Sequence, residues 1–133
     1  MAAYVILCVM KYKQIYLVLI LLALSFSGCE KNKNPTVTLL NGSFMTGNTT
    51  ISTGGLVKFK WEASKGKADL SSFTVMMDGI DQAGFPNTNL PADVYLDSIY
   101  LEGPSVTGNY TFSFQVIDTD GNLGDRGIVI TVE

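Results

Sequence analysis

With 12 acidic against 9 basic residues among 133, the chain has a formal charge of −3 and no basic surplus to neutralise phosphates, which argues against a nucleic-acid partner. It contains no histidine, so the commonest general base, the Ser-His and Cys-His nucleophile pairs and the usual zinc ligands are all missing. Of its two cysteines, Cys8 lies in an apolar leader and Cys29 at the leader's end.

The leader is read first. Met10-Lys11-Tyr12-Lys13-Gln14 forms a positively charged start, and the apolar run from Ile15 to Leu24 has the length of a signal-peptide core. It falls short of the roughly 20 apolar residues that cross a bilayer. Residues 1–9 lie on the wrong side of the lysines, so Met10 is an alternative true start. The run ends as Leu24-Ser25-Phe26-Ser27-Gly28-Cys29, followed at once by polar Glu30-Lys31-Asn32-Lys33-Asn34-Pro35. This arrangement resembles the lipobox of bacterial lipoproteins, although Phe26 stands where Leu is more usual. The resemblance implies a helical signal peptide over residues 1–28, cleavage before Cys29, and a thiol carrying diacylglycerol, with palmitate among its acyl chains. Cys29 is then a membrane anchor and not a catalyst, and the expected location is the cell envelope, on the outer membrane.

Cleavage at that point leaves 105 residues, about one domain, able to bury something like 60–65% of its unfolded surface. Lys11 and Lys13 depart with the leader, so 7 basic residues face 12 acidic ones, a charge of −5. Cys29 becomes the only cysteine, no intrachain disulfide can form, and stability must come from packing. Catalysis would have to use carboxylates alone, with Asp78 and Asp81 or Asp93 and Asp97 as the pairs, and such pairs on a small acidic domain read first as solvated surface.

Residues 29–35 read as a polar tether ending at a proline. From residue 36 the apolar period is two. Val37 and Leu39 alternate with threonines, Val57, Phe59 and Trp61 with Lys58, Lys60 and Glu62, and Phe73, Val75 and Met77 with Thr74, Met76 and Asp78. Residues 94–102 are an ambiguous strand, because Ile99, Tyr100 and Leu101 put apolar groups on both faces. Tyr110, Phe112, Phe114 and Val116 oppose Thr111, Ser113 and Gln115, and Ile128, Ile130 and Val132 close the chain. Turn formers separate these runs at Asn41-Gly42, Gly54-Gly55, Lys65-Gly66, Asp78-Gly79, Gly103-Pro104, Gly108-Asn109 and Asp120-Gly121. The expected fold is all-β, an antiparallel sandwich of about seven strands over residues 36–133.

The runs Val57-Lys58-Phe59-Lys60-Trp61-Glu62-Ala63, Leu70-Ser71-Ser72-Phe73-Thr74-Val75 and Gly108 to Asn122 resemble the immunoglobulin-like domains of Bacteroidetes lipoproteins, and more loosely PKD modules. The resemblance covers residues 36–133. It implies a scaffold that serves binding, spacing or adhesion, and it identifies no ligand.

Several positions carry a functional reading beside a structural one. Tyr110 resembles the tyrosine corner of Greek-key sandwiches. Trp61 shares a face with Val57 and Phe59 and is expected in the core, with Phe112 and Phe114, rather than as a sugar platform. Asp118, Asp120 and Asn122 place oxygens at alternate positions and are a weak calcium candidate, but the glycine and glutamate of an EF-hand loop are replaced by Leu123 and Val129; a turn is the preferred reading, and no metal or other cofactor is expected. The long connection from Gly79 to Asp93 is the segment a sandwich explains least. In it Phe85 is either an exposed anchor, with Gln82, Asn87 and Asn89 to bond a glycan or a peptide, or a lid that folds with Leu90 over the end of the core. Asp97-Ser98-Ile99 matches the short sequon of Bacteroidetes O-glycosylation, with Ser98 as acceptor. The expected function is a lipid-anchored, non-catalytic module that binds a protein or glycan, with a structural spacer or assembly subunit as the alternative and a carboxylate-dependent enzyme the least favoured.

Overall fold

The computed structural model describes residues 34–133, so the expected signal peptide over residues 1–28, Cys29 and most of the tether lie outside the described residues. Eight strands form and no helix occurs among the described residues: β1 (Thr36–Leu39), β2 (Thr49–Ile51), β3 (Leu56–Ser64), β4 (Leu70–Met77), β5 (Ile80–Asp81), β6 (Val94–Glu102), β7 (Gly108–Asp118) and β8 (Leu123–Val132). They make two sheets, one in the order β1-β3-β6 and one in the order β2-β8-β7-β4-β5. The chain changes sheet between β1 and β2, β2 and β3, β3 and β4, β5 and β6, and β6 and β7, the back-and-forth connectivity of an immunoglobulin-like sandwich.

Alternation builds the core. Along β3 every second side chain, Val57, Phe59, Trp61 and Ala63, is fully buried, while the lysines and the glutamate between them reach solvent. The facing sheet contributes Phe73 and Val75 from β4, Phe112, Phe114 and Val116 from β7, and Ile128, Ile130 and Val132 from β8. Phe59 meets Phe112 and Phe114 with ring centres 5.0 Å away in each case, and Trp61 stacks on Phe73 at 5.0 Å. Aromatic pairs at such distances add about 0.5–1.5 kcal/mol each to the burial of their area. The indole N–H of Trp61 has no acceptor among the described residues, because its surroundings are rings. An unpaired buried donor costs about 1–3 kcal/mol, so the packing of this tryptophan must outweigh that loss.

Eight strands stand where about seven were expected, and one pairing departs from the antiparallel rule. The first strand is divided between the sheets: residues 40–48 carry the chain from β1 across to β2, which pairs with the end of β8 in parallel. The short β5 is made by Asp78-Gly79, whose φ angles of 49° and 81° are both positive, as a two-residue hairpin of the twist-compatible kind requires. Asp78 is also tied to β7, its N–H donating to the Thr111 carbonyl and its carboxylate accepting the Thr111 N–H, each at 2.8 Å. Gly124 lets the chain pass over the start of β8, since a Cβ there would meet the Pro35 carbonyl.

Candidate functional site

The ambiguous segment over residues 94–102 is a full strand, paired with β3 from Val94↔Ser64 to Glu102↔Leu56. Its odd-numbered side chains Tyr95, Ile99 and Leu101 pack on the core, and its even-numbered ones face outward. That accounts for apolar residues on both faces: one set belongs to the core, and the other, Val94, Leu96 and Tyr100, is exposed, with Leu96 at 54% and Tyr100 at 60% of full accessibility. Exposed Leu56 on the neighbouring strand and Phe44, edge-on to Tyr100 at 5.7 Å, extend this apolar strip over the outer face of the smaller sheet. Lys58 and Lys60 lie opposite Tyr100 and Ser98 in the register.

β6 is also an edge. The Gly103 N–H donates to Gly55 and the Asp93 carbonyl accepts from Lys65, so odd-numbered backbone groups point toward β3 and its extension. Alternate residues of a strand direct their N–H and C=O to opposite sides. Val94, Leu96, Ser98, Tyr100 and Glu102 therefore turn their backbone groups to the open side. At mid-strand the Ser98 N–H is taken by Oδ1 of Asp97 at 2.8 Å, while Oδ2 of the same carboxylate accepts the Tyr95 hydroxyl at 2.6 Å. The Tyr95 hydroxyl in turn accepts from the Asn87 amide at 3.1 Å. Burial of the phenol first, and then its bond to Asp97, push the Tyr95 pKa up to about 12. The hydroxyl thus keeps its proton and holds Asp97 at the edge.

The long loop is arranged differently. Phe85 is half-buried, set edge-on to Trp61 at 6.0 Å and to Phe73 at 6.1 Å, and Leu90 also packs against the core. The loop backbone bonds to β4, through Asn87 to Phe73 in both directions and through the Gln82 N–H to Val75. Two of the candidate side chains hold the loop in place: Gln82 donates to the Ile80 carbonyl, and Asn87 donates to Tyr95 while its side-chain carbonyl accepts the Asn89 backbone N–H. The geometry is that of a lid over the core end, and the reading of Phe85 as an exposed anchor gives way because its edge-on contacts with Trp61 and Phe73 take much of the ring out of water.

Asp118, Asp120 and Asn122 do come together, in a four-residue turn between β7 and β8. Asp118 is 2% exposed, and its carboxylate accepts the Asn122 side-chain amide and the N–H groups of Asp120 and Asn122. Burial pushes its pKa up, but the bonds from Asn122, Asp120 and Gly121 outweigh burial and hold it below the ordinary carboxylate value. The lone pairs that would face a cation face the turn's own donors, and no group of three His, Cys, Asp or Glu side chains is placed to share an ion among the described residues.

Three of the four carboxylates considered for catalysis are engaged separately: Asp78 binds Thr111, Asp93 pairs with Lys65, and Asp97 binds Tyr95 and Ser98. The fourth, Asp81, is exposed on β5. Ser98 sits half-buried in mid-strand on the outer face. The Tyr110 hydroxyl donates to the Val106 carbonyl four residues upstream at 2.9 Å, the bond of a tyrosine corner. A shallow depression of about 240 Å3 lies between β1 and Arg126, lined by Val37, Thr38, Leu39 and Thr46.

No protein-family model matches the chain, and no curated protein does either. Solved structures do. A CARDB domain of PF1109 from Pyrococcus furiosus is similar over 77% of this chain and 99% of its own, with a TM-score of 0.50 at 10% identity. A fibronectin(III)-like module structure of CbhA from Clostridium thermocellum is similar over 74% and 97%, with a TM-score of 0.49 at 18% identity. A superoxide reductase from Ignicoccus hospitalis is similar at a TM-score of 0.42 and 10% identity. The strand order and the first of these likenesses define the class, an immunoglobulin-like β-sandwich module. At such identities the likeness is one of fold, and function has to be argued from the surface.

Proposed function

We propose that this protein is a lipid-anchored, non-catalytic binding module of a bacterial cell envelope, held at the outer membrane through Cys29 and presenting the β3-β6 face to a protein partner. The observation that carries the reading is the exposed apolar strip of Leu56, Val94, Leu96 and Tyr100. A soluble domain has no structural use for such a strip, and strips rimmed by charge mark docking surfaces. A protein suits it better than a glycan, because two of the three loop amides that would bond sugar hydroxyls, those of Gln82 and Asn87, are committed within the fold. Catalysis is disfavoured by the absence of histidine and by the engagement of three of the four candidate carboxylates, Asp78, Asp93 and Asp97, with partners of their own.

Two arms test the reading in cells that carry the full chain. A Cys29→Ala variant is expected to lose incorporated palmitate and move from the membrane to the soluble fraction; a variant that still carries label refutes the anchor. A photo-crosslinker at position 100 is expected to yield a discrete protein adduct that the same group at position 111, on the opposite sheet, does not. Equal labelling at both positions, or none at position 100 while a glycan binds the chain, overturns the protein-docking face.

A further inference from the structure

We infer that the open edge of β6 is a strand-addition site for an extended peptide segment that carries a basic side chain among alternating apolar residues. The inference rests on the binding-module reading and deepens it by naming the chemistry of the partner.

The edge offers backbone groups of five alternate residues, and among the described residues β6 pairs only with β3. Native domains usually blunt such an edge by shortening or covering it. The other sheet does both, ending in the two-residue β5 and the three-residue β2. On β6 the nine-residue edge stays long, and its outward side chains Val94, Leu96 and Tyr100 would lie beside alternate side chains of an added strand.

Asp97 decides which strand can be added. Its carboxylate occupies the Ser98 N–H at the centre of the edge, so an arriving backbone carbonyl meets negative charge there instead of a donor. A lysine or arginine meets an acceptor, and Glu102 at the end of the strand adds charge of the same sign. A second copy of this chain fits poorly. Antiparallel registers centred on Asp97 or Ser98 place the two Asp97 carboxylates opposite or diagonal to one another, an arrangement that disfavours pairing.

The edge also supplies a clean variant. The Leu96 N–H points to the open side, so Leu96→Pro removes an edge donor and no bond to β3, which a sheet edge tolerates. The test uses the full chain, 15N-labelled in detergent micelles, with two synthetic peptides: Val-Thr-Val-Lys-Val-Thr-Val and its counterpart with Glu for Lys. The lysine peptide is expected to shift the amide signals of residues 94–102 and to slow hydrogen exchange at Leu96 and Tyr100. The glutamate peptide and the Leu96→Pro protein should each bind at least about tenfold more weakly, with the variant's remaining spectrum unchanged. Asp97→Asn should reduce the preference for lysine. Equal binding of both peptides overturns the charge assignment. Shifts confined to the amides of Leu56 and Lys58 without protected edge amides, or no shift at all, overturn strand addition and leave the docking face to stand or fall by the crosslinking at position 100. Concentration-dependent self-association through residues 94–102 assigns the edge to a second copy and equally overturns the inference.

Discussion

The edge beside β4 and the edge at β6 both lie at the margin of a sheet, and they end in opposite conditions. Beside β4 the chain turns back through Asp78-Gly79, adds β5, and then lays residues 82–90 along the strand, so that Phe73 and Val75 find backbone partners and Phe85 seals the ring cluster below. Along β6 nothing comparable returns among the described residues, and the apolar residues of the outward set stay in water. The difference teaches where to look for function in a scaffold of this kind. An edge that the fold has covered with its own loop is spent on stability, whereas a long bare edge beside an apolar strip costs solubility while it stays uncovered.

The two edges meet at Trp61, which touches Phe85 on one side and Tyr95 on the other. Trp61→Ala should therefore weaken both and carry the largest effect, about 3–5 kcal/mol in urea unfolding; a loss under 1 kcal/mol would show that the cluster is not the core it appears by burial. Phe85→Ala acts on the covered edge alone. As a half-buried ring it should cost about half as much, roughly 1.5–2.5 kcal/mol, and speed hydrogen exchange at Phe73 while leaving the adduct at position 100 intact. Loss of that adduct would join the loop to the binding surface and erase the contrast.

Asp118 lies away from both edges and sets a reference. Its pKa is lowered in the folded state relative to 3.8, so its contribution to stability is present above that value and is lost as pH falls through the lower folded value. Asp118→Asn should be less stable than the parent at pH 7, with the gap closing below pH ~4; a gap that persists in acid would assign the effect to packing. Tyr110→Phe should cost about 1 kcal/mol, the net worth of one hydrogen bond, seen as a small fall in the urea midpoint. Leu96→Pro, on the bare edge, should change stability least of all, and a large loss there would mean that its N–H is already in use.

Much of the sandwich was legible in one dimension because burial on a strand has a period of two. Val57, Phe59 and Trp61, or Phe112, Phe114 and Val116, announce an inward face whatever the strand pairs with, and Asp78-Gly79 announces a turn of positive φ. Tyr110 likewise could be read from its place at the start of a strand, since its acceptor lies only four residues upstream. The division of the first strand into β1 and β2 was not legible, because three residues such as Thr49–Ile51 carry no period and their parallel partner lies at the far end of the chain.

The candidate site was the least legible part. Phe85 among Asn and Gln residues looks like an exposed anchor until Trp61 and Phe73 are set beneath it, and the apolar excess of residues 94–102 looks like ambiguity until one face is seen to lack a cover. Asp97 reads as part of a sequon or a carboxylate pair, and only the position of Ser98 on an unpaired edge gives its charge a use. Local alternation and turn chemistry depend on neighbours in the chain, so the all-β class, the inward faces and the strand ends marked by turn formers could be read directly from the residues. Which edge is covered and which is bare depends on contacts between residues far apart in the chain, and only the tertiary structure decided it.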